Sequence, residues 1–366
     1  MKKYLSIIIA AVLMVGCLSA CSSGNKQDTA KDSKIQVVTT IFPEYDWVMN
    51  ILGENPAGAE VTMLLDSGVD LHSYQPTVDD ILKISNCDLF IYVGGESDEW
   101  VDDALHEATN KEMVVINLLD VLGDSVKEEE VVEGMQADEH EHDHDHDEGE
   151  HDHDEGEHDH DEGEHDHDEG EHDEDEHEHE HEHEHGEIEY DEHVWLSLKN
   201  ASVLVNKISE AIQKIDRTHA DVYKTNTSAY IEKLDALDAG YKAAVDGAAF
   251  RTLLFGDRFP FRYLVDDYGL DYFVAFVGCS AETEASFETI TFLAGKVDEL
   301  SLPAVMTIEG TDHRIAETIV KNTGSKNQQI LTMDSMQSTT SKDVRNGTTY
   351  LSIMEKNLSV LKEALK

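Results

Sequence analysis

The sequence predicts an α/β protein of two lobes, each a parallel sheet flanked by helices, with the lobes joined by a long linking helix. Three observations predict this fold. Short apolar runs alternate with helical patterns from Ile35 as far as an acidic, histidine-rich segment, which favours a parallel sheet covered by helices. The same alternation returns after residue 246. Between the two series lie long helical patterns with only a brief break near Asp216.

In the first series, apolar runs and helical patterns occur in pairs: IQVVTT with YDWVMNIL, VTMLL with TVDDILKI, and DLFIYV with DEWVDDALHEA, before a last run, VVIN. The second series pairs TLLFGD with FRYLVDDYG, DYFVAF with ASFETITFLAGKVDEL, AVMTIE with HRIAETIVKNTG, and QILTM with TYLSIMEKNLSVLKEAL. We therefore predict an N-terminal lobe at residues 35–198, linking helices at 199–246 and a C-terminal lobe at 247–366.

Residues 1–21 predict a lipoprotein signal peptide. Two lysines precede an apolar run too short to span a bilayer comfortably, and LSAC, ending at Cys21, resembles the lipobox of bacterial lipoproteins, whose cysteine is lipid-modified. Ordinary secretory cleavage is the alternative. Residues 22–34 are polar and predict a flexible tether. The chain is thus expected outside the cell, anchored through Cys21 to the outer face of the cytoplasmic membrane.

The segment of residues 138–190 dominates the formal net charge of -52, and within it the heptad HDHDEGE occurs four times. Residues 138–187 have no apolar side chain to bury, so the segment predicts a disordered loop. Neutral imidazoles bind zinc, copper and nickel, which indicates metal capture rather than a merely solubilising acidic tract. Its histidines are His140, His142, His144, His146, His151, His153, His158, His160, His165, His167, His172, His177, His179, His181, His183 and His185. The acidic balance offers no basic face for nucleic acid.

Two of the few other histidines lie where predicted elements end. His72 follows the run VTMLL and precedes a helix whose Thr77 and Asp80 form a capping-box pattern. His193 lies between the histidine-rich segment and the next helix. Because ligands of open α/β sheets bind beyond the carboxyl ends of the strands, these positions favour a binding site at the rims of the lobes.

The motifs around these histidines are similar to those of a known family. GVDLHSYQPTVDD resembles the G-x-x-P-H-x-Y-x-P-T motif of bacterial ABC-transporter solute-binding proteins that capture zinc or manganese, and DEHVWLS resembles their D-P-H-x-W-L-S. ETEAS before Phe287 is similar to their E-x-E-P-S-P. Leu71 and Glu192 replace prolines of the motifs. The resemblance covers nearly all of the mature chain, and zinc members often carry a histidine-rich loop in this place.

The resemblance implies a site of four side chains between the lobes. His72 and His193 match the first two ligands, and Asp334 in ILTMDSMQS matches a late aspartate. At the third position, F-G-D-R-F-P-F replaces F-H-D-A-F-G-Y, so Gly256 stands where the family has histidine. Three substitutes remain open: Asp257; a water molecule or an imidazole of the loop; or Glu309, which could ligate the ion directly or hydrogen-bond a liganding imidazole.

The resemblance implies a monomeric, high-affinity zinc-binding component that delivers its ion to an ABC permease and its ATPase. Imidazole-rich ligation favours Zn²⁺ over Mn²⁺, although manganese and nickel remain alternatives. Outside the histidine-rich segment the sequence has no H-E-x-x-H motif, and it has no phosphate-binding loop, which argues against an enzyme. A surface metal-buffering or adhesion lipoprotein is the other alternative. Cys87 and Cys279 are expected as free thiols rather than as a disulfide.

Overall fold

The two predicted sheets are present in a computed structural model, which describes residues 34–136, 189–280, 284–310 and 312–366. All pairings within each sheet are parallel. The first sheet has the order β2-β1-β3-β4 and the second has the equivalent order β6-β5-β7-β8. The strands are β1 (Gln36–Thr39), β2 (Glu60–Met63), β3 (Leu89–Tyr92), β4 (Val114–Asn117), β5 (Thr252–Phe259), β6 (Asp271–Val277), β7 (Ala304–Ile308) and β8 (Gln329–Met333).

Helices connect and cover these strands, which confirms the predicted fold class. The connection between the sheets consists of two helices, α5 and α6, of which α6 is the longer. The α-helices are α1 (Phe42–Leu52), α2 (Val78–Asn86), α3 (Trp100–His106), α4 (Leu118–Leu122), α5 (Leu198–Ile215), α6 (Ala220–Asp246), α7 (Arg262–Tyr268), α8 (Phe287–Leu300), α9 (Arg314–Asn322), α10 (Ser341–Arg345) and α11 (Tyr350–Ala364).

Local sequence explains where the elements begin. The capping box predicted at the start of α2 is present: the Thr77 hydroxyl accepts from the Asp80 amide, and the Asp80 carboxylate accepts from the Thr77 amide. The inner strands β3 and β7 have almost wholly buried residues because helices cover both faces of each sheet. The short helices α4 and α10 were not predicted, since five residues are too few to display a helical period.

The apolar core is continuous from one sheet to the other. The described residues from 35 to 366 form one compact unit. Its largest buried cluster includes Val38 of β1, Leu204 of α5 and Leu264 of α7, so the linking helices belong to the same core as both sheets. A smaller cluster lies between the second sheet and α8 and α9, and includes Leu254, Val305 and Ala316.

Several sequence predictions fall outside the described residues. These are the signal peptide with its lipidated Cys21, the tether except for Lys34, and the histidine-rich segment except for Glu189 and Tyr190. No described helix has the length and apolar character needed to cross a membrane. Cys87 and Cys279 are both free thiols, as expected.

Gly256 lies where α9 packs directly on β5. A Cβ atom placed there would be 2.7 Å from the Cα of Ala316 and 2.9 Å from its amide nitrogen, both of them backbone atoms of the helix. Such separations are far below van der Waals contact, and backbone atoms cannot rotate away. A side chain at position 256 would therefore displace α9 from the sheet.

We predict that Gly256→Ala lowers the free energy of unfolding by about 1–3 kcal/mol, the usual cost of overpacking a tight interior contact. Gly256→His, which restores the histidine of the family motif, should cost more because the added side chain is larger. Denaturant unfolding followed by circular dichroism measures both. Gly295→Ala is the matched control: Gly295 is an exposed helical residue with nothing near its Cβ position. That change should raise stability by about 0.5–1 kcal/mol. Equal stability of Gly256→Ala and the unchanged chain would contradict the packing argument.

Candidate metal site

His72 lies in a single 3₁₀ turn, Leu71–Ser73, beyond the carboxyl end of β2. Asp70 caps this turn, because its carboxylate accepts the His72 amide at 3.1 Å. The imidazole Nδ1 lies 2.7 Å from the Ser97 hydroxyl and 3.4 Å from a carboxylate oxygen of Glu192. The ring is thus fixed from its own turn and from the segment that follows β3.

His193 is completely buried and is held by the residue two positions before it. Oδ1 of Asp191 accepts the His193 backbone amide at 2.8 Å and lies 3.0 Å from the ring Nδ1. The Tyr263 hydroxyl donates to the Asp191 carbonyl at 2.8 Å, and the Asp191 amide donates to the Lys127 carbonyl. The position of the His193 imidazole therefore depends, through Asp191, on α7 and on the chain segment that contains Lys127.

The two imidazoles point their Nε2 atoms at one another. These atoms are 3.3 Å apart. The side-chain amide nitrogen of Gln337, beyond the carboxyl end of β8, lies 3.2 Å from Nε2 of His72 and 3.0 Å from Nε2 of His193. The rings thus converge on one point, which the amide group of Gln337 contacts from the second sheet.

Hydrogen-bond partners assign the tautomers. An ionised carboxylate can only accept, so Asp191 places the proton of His193 on Nδ1. The Ser97 hydroxyl hydrogen-bonds Glu192, which leaves its oxygen to accept from Nδ1 of His72. Both Nε2 lone pairs then face the amide of Gln337, whose two N–H groups can donate one bond to each ring. This is the tautomer pair in which Nε2 of both rings can bind a cation.

The two rings differ in their affinity for protons. Burial, together with the nearby His193, lowers the pKa of His72 to about 3. Burial also acts to lower the pKa of His193, but the Asp191 carboxylate, together with Glu192 and Asp70, raises that pKa above its ordinary value. Because two positive charges so close together would repel, His193 takes the first proton and His72 stays neutral.

Cys279 completes a group of candidate ligands. Ring nitrogens of His72 and His193 and the Cys279 sulfur all lie within 4.8 Å of one another, the one such group of His, Cys, Asp or Glu among residues 34–136, 189–280, 284–310 and 312–366. Cys279 follows β6, and the preceding Gly278 passes close under His193: a Cβ there would be 2.9 Å from the ring Cε1. Burial and the adjacent Glu129 raise the pKa of the Cys279 thiol.

An acidic cavity of about 260 Å³ opens beside this group. His72 and Cys279 line it, together with four glutamates. These are Glu96, Glu129, Glu189 and Glu192. Burial raises the pKa of Glu192 to about 7. The cavity also reaches Glu189, which follows the histidine-rich segment in the sequence. The Glu189 carbonyl accepts a hydrogen bond from the amide of Glu129, which also lines the cavity, at 2.9 Å.

The three carboxylates expected from the sequence lie outside this ligand group and have other partners. Asp257 is buried and accepts the backbone amides of Arg258 at 3.0 Å and Ile308 at 3.2 Å. Glu309 accepts the amide and the hydroxyl of Ser335, each at 2.7 Å. Asp334 accepts the Met336 amide at 2.9 Å.

Glu309 nevertheless has an indirect connection to the imidazoles. The Ser335 hydroxyl, which donates to Glu309, also lies 3.2 Å from the Gln337 carbonyl oxygen. Gln337 in turn contacts both rings. Glu309 is therefore connected to the imidazoles through Ser335 and Gln337. The role considered from the sequence was a direct hydrogen bond from Glu309 to a liganding imidazole.

An ion pair joins the second sheet to the His72 turn. Arg258 of β5 lies 2.8 Å from Asp70, the residue that caps the turn. The Arg258 guanidinium thus pairs with Asp70 of the first lobe, although Asp257 is its neighbour in sequence. Its charge is one of the influences that hold the pKa of His72 down.

Sequence reasoning did not find Gln337 or Cys279. Each follows the carboxyl end of a strand, β8 and β6 respectively, and so obeys the same rule that singled out His72. Cys279 was considered only as a thiol. Gln337 gave no signal, because an amide after a strand is common on protein surfaces and its contacts depend on tertiary structure.

Two sheets of equivalent strand order, with converging imidazoles buried at the strand ends between them, define one of the two-lobed α/β folds, here with a candidate metal site. Comparison with known families identifies which one. The family model described as "Zinc-uptake complex component A periplasmic" matches residues 37–364, and the chain belongs to this family. The resemblance drawn from the sequence motifs is thereby confirmed.

Curated relatives carry zinc in their names. The chain is 28% identical to the "High-affinity zinc uptake system protein ZnuA" of Bacillus subtilis, over all of this chain and 98% of the relative. It is 25% identical to the "Zinc-binding protein AdcA" of Streptococcus pyogenes, over 99% of this chain. The chain spans 61% of the length of that AdcA protein.

Solved structures share the fold. The Zn(II)-bound ZnuA-like domain of Streptococcus pneumoniae AdcA superposes with a TM-score of 0.63 at 24% identity, over 91% of this chain and 99% of that one. A laminin-binding adhesin of Streptococcus agalactiae superposes with a TM-score of 0.65 at 20% identity, over 91% of this chain and all of the other. At these identities the likeness establishes the architecture.

We predict that Asp191→Asn lowers the pKa of His193, because the Asp191 charge is what raises that pKa against burial. Measuring ring chemical shifts by NMR across a pH series would show the His193 titration moving to lower pH. Asp216→Asn is the matched control, since Asp216 makes the same kind of contact with His219, 2.7 Å from Nδ1, away from the site. An unchanged His193 titration in Asp191→Asn would mean that the carboxylate does not control the ring.

Proposed function

We propose that the chain is the extracytoplasmic zinc-binding component of an ABC-type uptake transporter. In this function His72 and His193 hold Zn²⁺ as cargo. The observation that carries the proposal is the 3.3 Å separation of the two Nε2 atoms. Two imidazole nitrogens bound to one tetrahedral zinc at 2.0–2.1 Å lie about 3.3 Å apart. The protein thus holds its rings at the spacing that zinc requires, with the tautomers already set.

The surrounding hydrogen bonds favour the same use. Asp191 and Ser97 hold the Nδ1 atoms of the two rings, which orients Nε2 and strengthens it as a donor. Nitrogen donors suit zinc better than manganese, which prefers oxygen. The family and the zinc-named relatives support the choice of this ion.

The remaining parts of the proposal concern the cell. A permease and its ATPase would receive the ion. Cys21 would carry the lipid that holds the protein at the outer face of the cytoplasmic membrane. One relative is named "Zinc-binding lipoprotein AdcA". The domain limits at residues 35–198, 199–246 and 247–366 are part of the same proposal. The histidine-rich segment would collect zinc and pass it inward by ligand exchange.

Asp334, Glu309 and Asp257 stay predictions as ligands. Each already accepts hydrogen bonds that hold its carboxylate in place: Asp334 from Met336, Glu309 from Ser335, and Asp257 from two backbone amides. The bonds of Asp257 lie within the sheet, which makes it the costliest of the three to release.

We expect His72→Ala and His193→Ala each to weaken the tightest zinc site by more than about 100-fold, beyond the 10–100-fold typical of losing an outer hydrogen-bond partner. Competition against a chromophoric chelator measures this affinity. His106→Ala is the control and should leave it unchanged, because that imidazole is 84% exposed on α3. Tight binding retained in both variants would contradict the proposed site.

Removing residues 138–187 should leave one tightly bound zinc and abolish the weaker binding of additional ions. The main chain on either side of the deletion is already paired, through the Glu128–Tyr190 bridge and the Asp191–Lys127 hydrogen bond, so the folded part keeps its geometry. Metal content after dialysis, with calorimetric titration, checks this. A metal-buffering protein would instead lose nearly all binding with the segment, and that result would favour the alternative function.

A further inference from the structure

Two imidazoles leave a zinc ion short of protein ligands. Tightly held zinc generally has three or four, drawn from histidine, cysteine and carboxylate. Gly256 cannot supply one: it has no side chain, and α9 occupies the space where a side chain would begin. The nearest donor must therefore come from another part of the fold.

The Cys279 sulfur lies in a position to be that donor. It lies within 4.8 Å of one ring nitrogen of His72 and of one ring nitrogen of His193. A nitrogen and a sulfur bound to the same tetrahedral zinc are about 3.6 Å apart. A shift of about 1 Å, within reach of side-chain rotation, closes the difference.

The backbone before Cys279 is held against the imidazole. Gly278 approaches the His193 ring so closely that a Cβ there would contact Cε1 at 2.9 Å and the Phe259 carbonyl at 2.9 Å. On the other side, Arg258 reaches the Ser280 carbonyl at 3.4 Å while it pairs with Asp70. The Cys279 turn and the His72 turn thus share one guanidinium, which keeps the sulfur beside the rings.

We propose that Cys279 is the third protein ligand of the zinc ion, so that this chain uses a His₂Cys donor set. The inference rests on the proposed zinc-binding function. As the sulfur–zinc bond forms, the thiol releases its proton to solvent and binds as thiolate. A thiolate donor favours zinc and softer ions such as cadmium, and it disfavours manganese.

Cobalt absorption tests the ligand directly on the full-length chain. Co²⁺ bound by a thiolate shows a strong sulfur-to-metal charge-transfer band in the near ultraviolet, which nitrogen and oxygen ligands do not give. The histidine-rich segment contains no sulfur, so its cobalt cannot contribute. We expect the band at the first equivalent of Co²⁺, its loss in Cys279→Ser, and its persistence in Cys87→Ser and Cys21→Ser. Absence of the band from the unchanged chain would overturn the proposal, because misfolding of a variant could not account for that result.

Zinc affinity separates this inference from the function on which it rests. Cys279→Ser should weaken the tightest site by at least about tenfold, or 1.4 kcal/mol, with the Cys87→Ser control unchanged. If His193→Ala abolishes tight binding while Cys279→Ser has no effect, Cys279 is not a ligand and the zinc-binding function stands. If the unchanged chain has no tight zinc site, the proposed function fails and the ligand assignment fails with it.

Discussion

The hydrogen bond between Asp191 and the buried ring of His193 is the constraint on which the site depends. It fixes which nitrogen of the ring carries the proton, and therefore which nitrogen faces the second imidazole. A carboxylate in the interior is stable only with several partners. The Asp191 carboxylate accepts from the backbone amide and the ring of His193. The Tyr263 hydroxyl and the Lys127 carbonyl hydrogen-bond the Asp191 backbone. These contacts together keep the Asp191 carboxylate beside the His193 ring.

The site also depends on the two sheets holding a fixed relation, and buried polar contacts provide it. The Trp195 indole donates to the Ser335 carbonyl at 2.9 Å, and the Tyr350 hydroxyl donates to the Trp195 carbonyl at 2.7 Å. These bonds connect the segment after His193 with the loop after β8 and with α11. Arg258 and Asp70 make the corresponding connection on the other side of the imidazoles. Because each bond crosses from one lobe to the other, a shift between the lobes would disturb all of them together.

Sequence reasoning recovered the fold and the two histidines because both leave local signatures. Alternating apolar runs predict strands and helices one at a time, and a histidine just after a strand is recognisable without knowing its neighbours. The other residues of the candidate site leave no such signature. Gly256 reads as a missing ligand in the sequence, whereas its structural role is to admit α9. Gln337 and Cys279 reach the imidazoles only because β8 and β6 end at the same rim, and no local pattern records which turns meet across two lobes.

The pairing of residues 127–129 with residues 189–191 has a kinetic consequence. It fixes described chain on both sides of the histidine-rich segment beside the acidic cavity, and the sixteen histidines of that segment lie in sequence between these two fixed parts. Any metal ion they hold is then present at an effective concentration set by chain length rather than by how much protein is in solution. Under the proposed function, transfer from the segment to the imidazoles is a first-order event within one molecule, and its rate does not depend on the protein concentration.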